Sequence, residues 1–262
     1  VATCATGFGD CNGVASDGCE ANLSNNASHC GLCGRACAAG ARCVAGGCVP
    51  VCNAGAPRVL IYGPAAGGDA AYLPTGAAVT VASEAMWRAF TADDFARYTL
   101  LVIGDLNCSG PPRAALQALF DTRAVWQPVV TGRVLVHGQD PTCHAPTFAG
   151  ARTYLSTLLR WLSEGPGTAL YASGDWNAQR SLDYLSGFGA WAVTYSNAEN
   201  VVITAPTHPV YAGSTSASLS GWGSSYHSFF TVFPAGFTSI ATVSGAVTQH
   251  MTVVREPACV AP

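Results

Sequence analysis

The side chains able to do acid–base or metal chemistry are few, and several fall at one kind of place. Asp105, His137, Asp140, Ser173 and Asp175 each close or follow a short apolar run that reads as a strand, with His208 and His227 further along the chain. In parallel α/β sheets, ligands gather beyond the carboxyl ends of the strands. Asp105, His137, Asp175 and His227 are therefore the candidate catalytic residues. Carboxylate and neutral imidazole together could hold a divalent cation, or act as a general base and the group that orients it. The competing reading is structural: a strand-end aspartate caps the helix that follows, and His208 and His227 are turn or core residues. Trp176, Trp222 and Tyr226, with His208, are candidate binding residues, because aromatic faces among hydroxyls suit carbohydrate. Cys143-His144 could be a thiol beside its base, or half of a disulfide next to a histidine. Asp10, Asn12, Asp17 and Glu20 offer oxygens to calcium, without the regular alternation of an EF-hand; turn-forming Asx residues explain them equally. Asn22, Asn26 and Asn107 stand in glycosylation sequons.

Cysteine usage speaks to compartment. Of 12 cysteines, nine lie in the first 52 residues: Cys4, Cys11, Cys19, Cys30, Cys33, Cys37, Cys43, Cys48 and Cys52. A segment that short cannot bury enough apolar surface to hold itself, so it is expected to be stapled by disulfides in an oxidising compartment. Cys30-Gly-Leu-Cys33 has zinc-ligand spacing, but the remaining intervals are irregular for a zinc module. Nine is odd, so one cysteine is expected to pair beyond the segment or to remain free. Cys108 and Cys143 each follow an apolar run; if those two strands are neighbours in a parallel sheet, both cysteines emerge at one edge and are expected to bond each other, which leaves Cys52 or a neighbour for Cys259. The chain begins at Val1 and reads as the mature form of an exported protein.

The elements that must position these residues change character at residues 53–57. Residues 1–52 are rich in Gly, Ala, Asn and Cys without periodicity; 53–57 read as a linker and 58–262 as one α/β domain. Strands are expected over 59–62, 78–82, 98–104, 134–137 and 168–172, and helices over 111–120, 153–163 and 178–185. The alternation implies βαβ units and a mostly parallel sheet with flanking helices. From 200 to 254 there is no Asp, Glu, Lys or Arg, and short β-like pieces suggest a β-rich C-terminal extension. That uncharged stretch is a candidate contact surface for protein or carbohydrate.

Only 10% of the 262 residues are charged, none is lysine, and the net charge is -3. A nucleic-acid or basic membrane-surface partner is thereby disfavoured. No apolar run approaches the ~20 residues of a membrane-spanning helix.

Two stretches resemble known families. Asp10-Cys-Asn-Gly, Asp17-Gly-Cys-Glu20, Cys30-Gly-Leu-Cys33-Gly-Arg-Ala-Cys37 and Cys43 to Cys48 are similar to a cysteine-rich repeat of exported bacterial surface proteins and to the stigma-specific-protein family. The resemblance implies a spacer or interaction module. Val59-Leu-Ile-Tyr-Gly63, Tyr98 to Asp105, Leu158 to Gly174, Thr207-His-Pro-Val210 and Trp222-x-x-Ser-x-His227-x-Phe229 resemble the class I glutamine-amidotransferase-like fold, nearest its trehalose-utilisation-type branch. That likeness implies a flavodoxin-like sheet. The family's nucleophile elbow, Gly-x-Cys-x-Gly, is read as missing from the chain, as is Gly-x-Ser-x-Gly, and the corresponding strand ends read His137-Gly-Gln-Asp140 and Ser173-Gly-Asp175-Trp176. The expectation is a non-catalytic extracellular structural or interaction protein that associates with itself or with other surface proteins. A secreted hydrolase or carbohydrate-active enzyme, and a carbohydrate-binding module, are the alternatives. No cofactor is expected unless calcium sits in the N-terminal segment.

Overall fold

A computed structural model describes residues 3–105, 113–174 and 182–262. The chain divides into two compact units, one of residues 1–52 with 258–262 and one of residues 53–257.

The first unit holds two small antiparallel ribbons, β1 (Phe8–Gly9) with β2 (Ala21–Asn22) and β3 (Ala41–Val44) with β4 (Gly47–Pro50). Few apolar side chains are buried there. Disulfides Cys4–Cys19, Cys11–Cys33, Cys30–Cys43 and Cys37–Cys48 staple it. The ninth cysteine, Cys52, bonds Cys259, and Val51 bridges Val260, so the last five residues belong with this unit and not with the α/β domain assigned from sequence. The stretch 53–57 is likewise no free linker. The Asn53 backbone N–H donates to the Gly165 carbonyl at 3.0 Å, its side-chain amide donates to Gly167 at 2.9 Å, and Pro57 is buried.

The second unit is built on one mixed sheet. Its parallel part contains β5 (Arg58–Tyr62), β6 (Ala78–Ala82), β7 (Leu100–Ile103), β8 (Val134–His137) and β9 (Ala169–Ser173), in spatial order β6-β5-β7-β9-β8. Side chains alternate between two cores, as the period of a strand requires. Val59, Ile61, Leu100, Val102, Leu135 and Tyr171 face one core; Leu60, Tyr62, Leu101, Ile103, Val136 and Leu170 face the other. The second core is closed by Trp87 of α1 (Glu84–Ala89), Phe95 of α2 (Ala92–Ala96), Leu119 of α3 (Gln117–Asp121) and Trp126 of α4 (Arg123–Trp126). After β8 come α5 (Pro141–His144) and α6 (Ala149–Ser163), the latter burying Tyr154, Leu155, Leu158, Leu159 and Leu162 in the first core.

The rest of the chain continues this sheet. After β10 (Ala192–Ala198) and β11 (Val201–Ile203), β12 (Tyr226–Val232), β13 (Thr238–Val243) and β14 (Ala246–Arg255) follow, and β14 lies antiparallel to β8 through Thr252–Arg255. The expected C-terminal extension is thus part of the main sheet. Its freedom from charge has a core explanation, since Trp222, Tyr226, Phe229, Phe230, Ile240 and Met251 are all buried. β10 was not anticipated, and the expected helix over 178–185 is, within the described residues, a 3-10 turn at Leu182–Phe188. No helix among the described residues is long and apolar enough to cross a membrane.

Candidate functional site

Most of the connection after β5 packs on the first core, through Ala66, Tyr72 and Leu73, with Ala65 alone turned into the second, while the described part of the connection after β7 packs on the second. Neighbouring strands whose connections leave on opposite faces open a crevice at their carboxyl ends. Asp69, in the connection after β5, and Asp105, directly after β7, meet there. The approach is close enough to require glycine: a Cβ on Gly67 would lie 1.9 Å from the Asp105 carbonyl oxygen, and one on Gly104 would lie 2.4 Å from Asp69 Oδ2. Thr142 of α5 donates its hydroxyl to Asp69 Oδ1 at 2.7 Å. Burial holds the Asp69 carboxyl up at about pKa 6, against the stabilising bonds from Thr142 and the Gly67 N–H. Asp105 is fully buried, and neither of its oxygens has a hydrogen-bond partner among the described residues. Burial first, then the negative neighbours Asp69 and Asp140, push its pKa well above the usual carboxylate range. Both effects favour the protonated form of the acid.

Asp140 lies just past β8, between two imidazoles. His227 Nε2 is 3.1 Å from its Oδ2 and His144 Nε2 is 3.2 Å from its Oδ1. Strand β12 delivers His227: Gly138 has no Cβ to meet the Ser228 carbonyl oxygen, which would stand 1.8 Å from it, and the His227 N–H donates to the Gly138 carbonyl at 3.0 Å. Burial pulls the His144 pKa down, but the Asp140 carboxylate overrides it and the net shift is upward. His144 Nε2 also stands 3.0 Å from the Ser224 carbonyl.

His137 is elsewhere in chemical terms. It is sealed on the first-core face, with Nε2 at 3.0 Å from the Tyr171 hydroxyl and Nδ1 at 3.4 Å from the Tyr154 hydroxyl. Burial lowers its pKa to about 3, so it stays neutral. Ser173 donates to the Gln139 carbonyl at 3.4 Å. Several sequence candidates need correction. His208 does not join the strand ends; it caps the turn at Val210, packs against Trp161 and pairs with Glu256. Trp222 and Tyr226 are buried, so neither presents a face on which a sugar could stack. Trp222 instead donates its indole N–H to Ser218 and packs against His144. Asp175, Trp176, Cys108 and Asn107 lie outside the described residues. Cys143 is disulfide-bonded, which removes the thiol-nucleophile reading. Gly9-Asp-Cys11-Asn-Gly13 does match the spacing Gly-x-Cys-x-Gly, but it lies in the first unit and Cys11 is bonded to Cys33.

In the first unit, oxygens of Asp10, Asp17 and Glu20 lie within 4.8 Å of one another. All three carboxylates are engaged locally. Asp10 accepts from the Gly13 N–H at 2.7 Å, Asp17 from the Asn12 amide at 2.8 Å, and Glu20 from the N–H groups of Cys11 and Asn12. The Asp10 contact is a turn contact, and the Asp17 and Glu20 contacts tie residues five to nine apart.

Sequence reasoning missed Asp69 as a site residue and gave His144 a different partner. The signal for Asp69 was the preceding Gly67-Gly68 pair, which marks close backbone approach. The described cavities, one of them lined by Arg123, Gln127, Phe188 and Arg255, share no residue with this cluster. The chain matches no protein-family model, no curated protein and no solved structure.

Proposed function

We propose that the protein is a non-catalytic, exported structural or interaction subunit that associates with copies of itself. The observation that carries this reading is β6, an edge strand of five uncharged residues on which Val79 and Val81 are 40% and 56% exposed. Sheets that stay monomeric blunt such edges with charge, proline, bulges or covering elements. The disulfides support export into an oxidising setting and durability there. The likeness of the first unit to a repeat of exported surface proteins agrees with a spacer or docking role. The α/β unit is then a retired enzyme fold, related to the amidotransferase-like, flavodoxin-like group. Its parallel strands run 2-1-3-5-4 in chain order, which shares the 2-1-3 start of the flavodoxin order 2-1-3-4-5 and exchanges the last two. Light scattering coupled to size exclusion, with negative-stain microscopy, tests the reading. Oligomers that grow with concentration are expected, and a monomer at every concentration rejects it.

A second reading, a secreted hydrolase or carbohydrate-active enzyme, is favoured by one observation. A buried acid whose pKa is pushed upward, Asp105, and a carboxylate–imidazole pair, Asp140 with His227, form the two halves of an acid–base set. It requires hydrolysis of some polysaccharide, ester or peptide substrate by the wild type, lost in Asp140→Asn.

A further inference from the structure

β6 is paired on one side only. Its register with β5 is unbroken from Arg58↔Ala78 to Tyr62↔Ala82, and among the described residues no strand or backbone group bonds its outer side. The other open edges of the sheet are defended. β10 carries register shifts at Ala192/Val193 and Tyr195/Ala198, and β11 is three residues long. Bulges and short length are devices that discourage edge pairing.

Two features say what fits β6. The first is hydrogen-bond parity. The Ala78 N–H donates inward to the Pro57 carbonyl at 2.9 Å. The alternation along a parallel ladder then turns the N–H and C=O groups of Val79 and Val81 outward. The second is sequence symmetry. Ala78-Val79-Thr80-Val81-Ala82 reads the same in both directions, and no charged residue occurs from 70 to 83.

We infer that β6 pairs antiparallel with β6 of a second copy about a two-fold axis through Thr80, joining two sheets into one. Val79 faces Val81 of the second copy and Val81 faces its Val79, so the outward groups of both strands complete four hydrogen bonds. Thr80 faces its own equivalent at the non-hydrogen-bonded position. Val79 and Val81 share the face of Val59 and Ile61 through the β5 register. A two-fold axis normal to the sheet brings the four valines of the dimer together on that face. Like residues oppose like, with no charge to repel, which is the self-complementarity an isologous interface needs. This inference rests on the self-association proposed above and gives it a closed, two-fold form.

The test compares wild type with Val81→Lys and Val79→Pro. Proline at 79 removes only an outward N–H, so the β5 ladder survives, and unchanged far-UV circular dichroism confirms the fold. Sedimentation is expected to show a mass that doubles with wild-type concentration and stays single in both variants. Thr80→Cys supplies the positive readout. At a non-hydrogen-bonded antiparallel pair the Cα atoms stand about 4.5 Å apart, within disulfide range. Under oxidation this variant is expected to give a covalent dimer, lost on adding Val81→Lys. Oligomers that persist in Val81→Lys and Val79→Pro, or open filaments in place of dimers, overturn this pairing while leaving self-association standing. A wild type that is monomeric throughout, with no cross-link in Thr80→Cys, overturns both.

Discussion

The two units stay folded by opposite means. Within residues 1–52 and 258–262 the strands are two to four residues long, and among the described residues only Ala21, Cys30 and Cys43 are buried hydrophobics. Its order comes from cross-links that restrict the unfolded chain. The unit of residues 53–257 fills two cores on either side of a sheet, with Trp87, Trp126, Tyr154 and Tyr171 wholly buried. Burial there is strong enough to carry Asp105 inside without a hydrogen-bond partner among the described residues. A unit with no core has no means of holding such a group; a unit with two cores can.

Reduction under otherwise native conditions breaks the comparison open most widely. Each disulfide contributes roughly 2–4 kcal/mol, and four of them act on the first unit alone. The first unit is expected to lose its amide protection entirely while the second keeps its own. All six tryptophans lie beyond residue 57, so tryptophan fluorescence reports the α/β unit and hydrogen exchange reports both. Protection surviving at Cys30 and Cys43 after reduction would show a hidden core in the first unit.

Cys52–Cys259 is the exception that sharpens the contrast. It spans 207 residues of sequence, enclosing the whole α/β unit. Loop entropy of that length amounts to about 5 kcal/mol in the chain-entropy account. Cys52→Ser with Cys259→Ser is expected to lower the α/β unit's unfolding free energy by up to that amount in guanidinium titrations followed by tryptophan fluorescence. An unmoved midpoint would mean that this bond serves the first unit only.

Much of this contrast was legible in the residues. Cysteine density marked the first unit, and 78–82 and 134–137 were read to the residue because each is an unbroken apolar or β-branched run. β10 escaped because Trp191-Ala-Val-Thr-Tyr-Ser-Asn197 mixes polar and apolar residues without a clean period. The Cys52–Cys259 bond was anticipated from the odd number of cysteines, but no local pattern showed that 258–262 would belong with the first unit. The site was half legible. Asp105 and Asp140 were found from strand ends and His227 as a residue further along the chain, but the pairing of His227 with Asp140, 87 residues away, was not. No local spacing encodes a contact made by threading β12 past Gly138. His137 looked equivalent to them because sequence cannot say which face of β8 its side chain takes.

The smallest expected effect concerns the acids themselves. A carboxyl whose folded pKa is raised binds more protons folded than unfolded, so its contribution to stability is present below the unfolded value and is lost as pH rises through the folded one. Asp69, raised from 3.8 to about 6, loses it between about pH 4 and 6. Asp105, raised further, loses it at higher pH. His137, lowered from 6.5 to about 3, acts in the opposite direction and adds stability as pH rises across that interval. Absolute curves therefore mix the signs, and the useful quantity is the difference between wild type and Asp105→Asn. Asparagine mimics the protonated acid at every pH. The two proteins should be nearly equal near pH 4, and the variant should be the more stable at pH 8, because only the wild type must then keep a buried acid protonated or bury its charge. Parallel denaturation curves across that range would mean that Asp105 is not held in an environment hostile to its charge. A fall in stability for Asp105→Asn at pH 8 would mean instead that the carboxylate is engaged by a partner of positive charge, and would move the argument toward the hydrolytic reading.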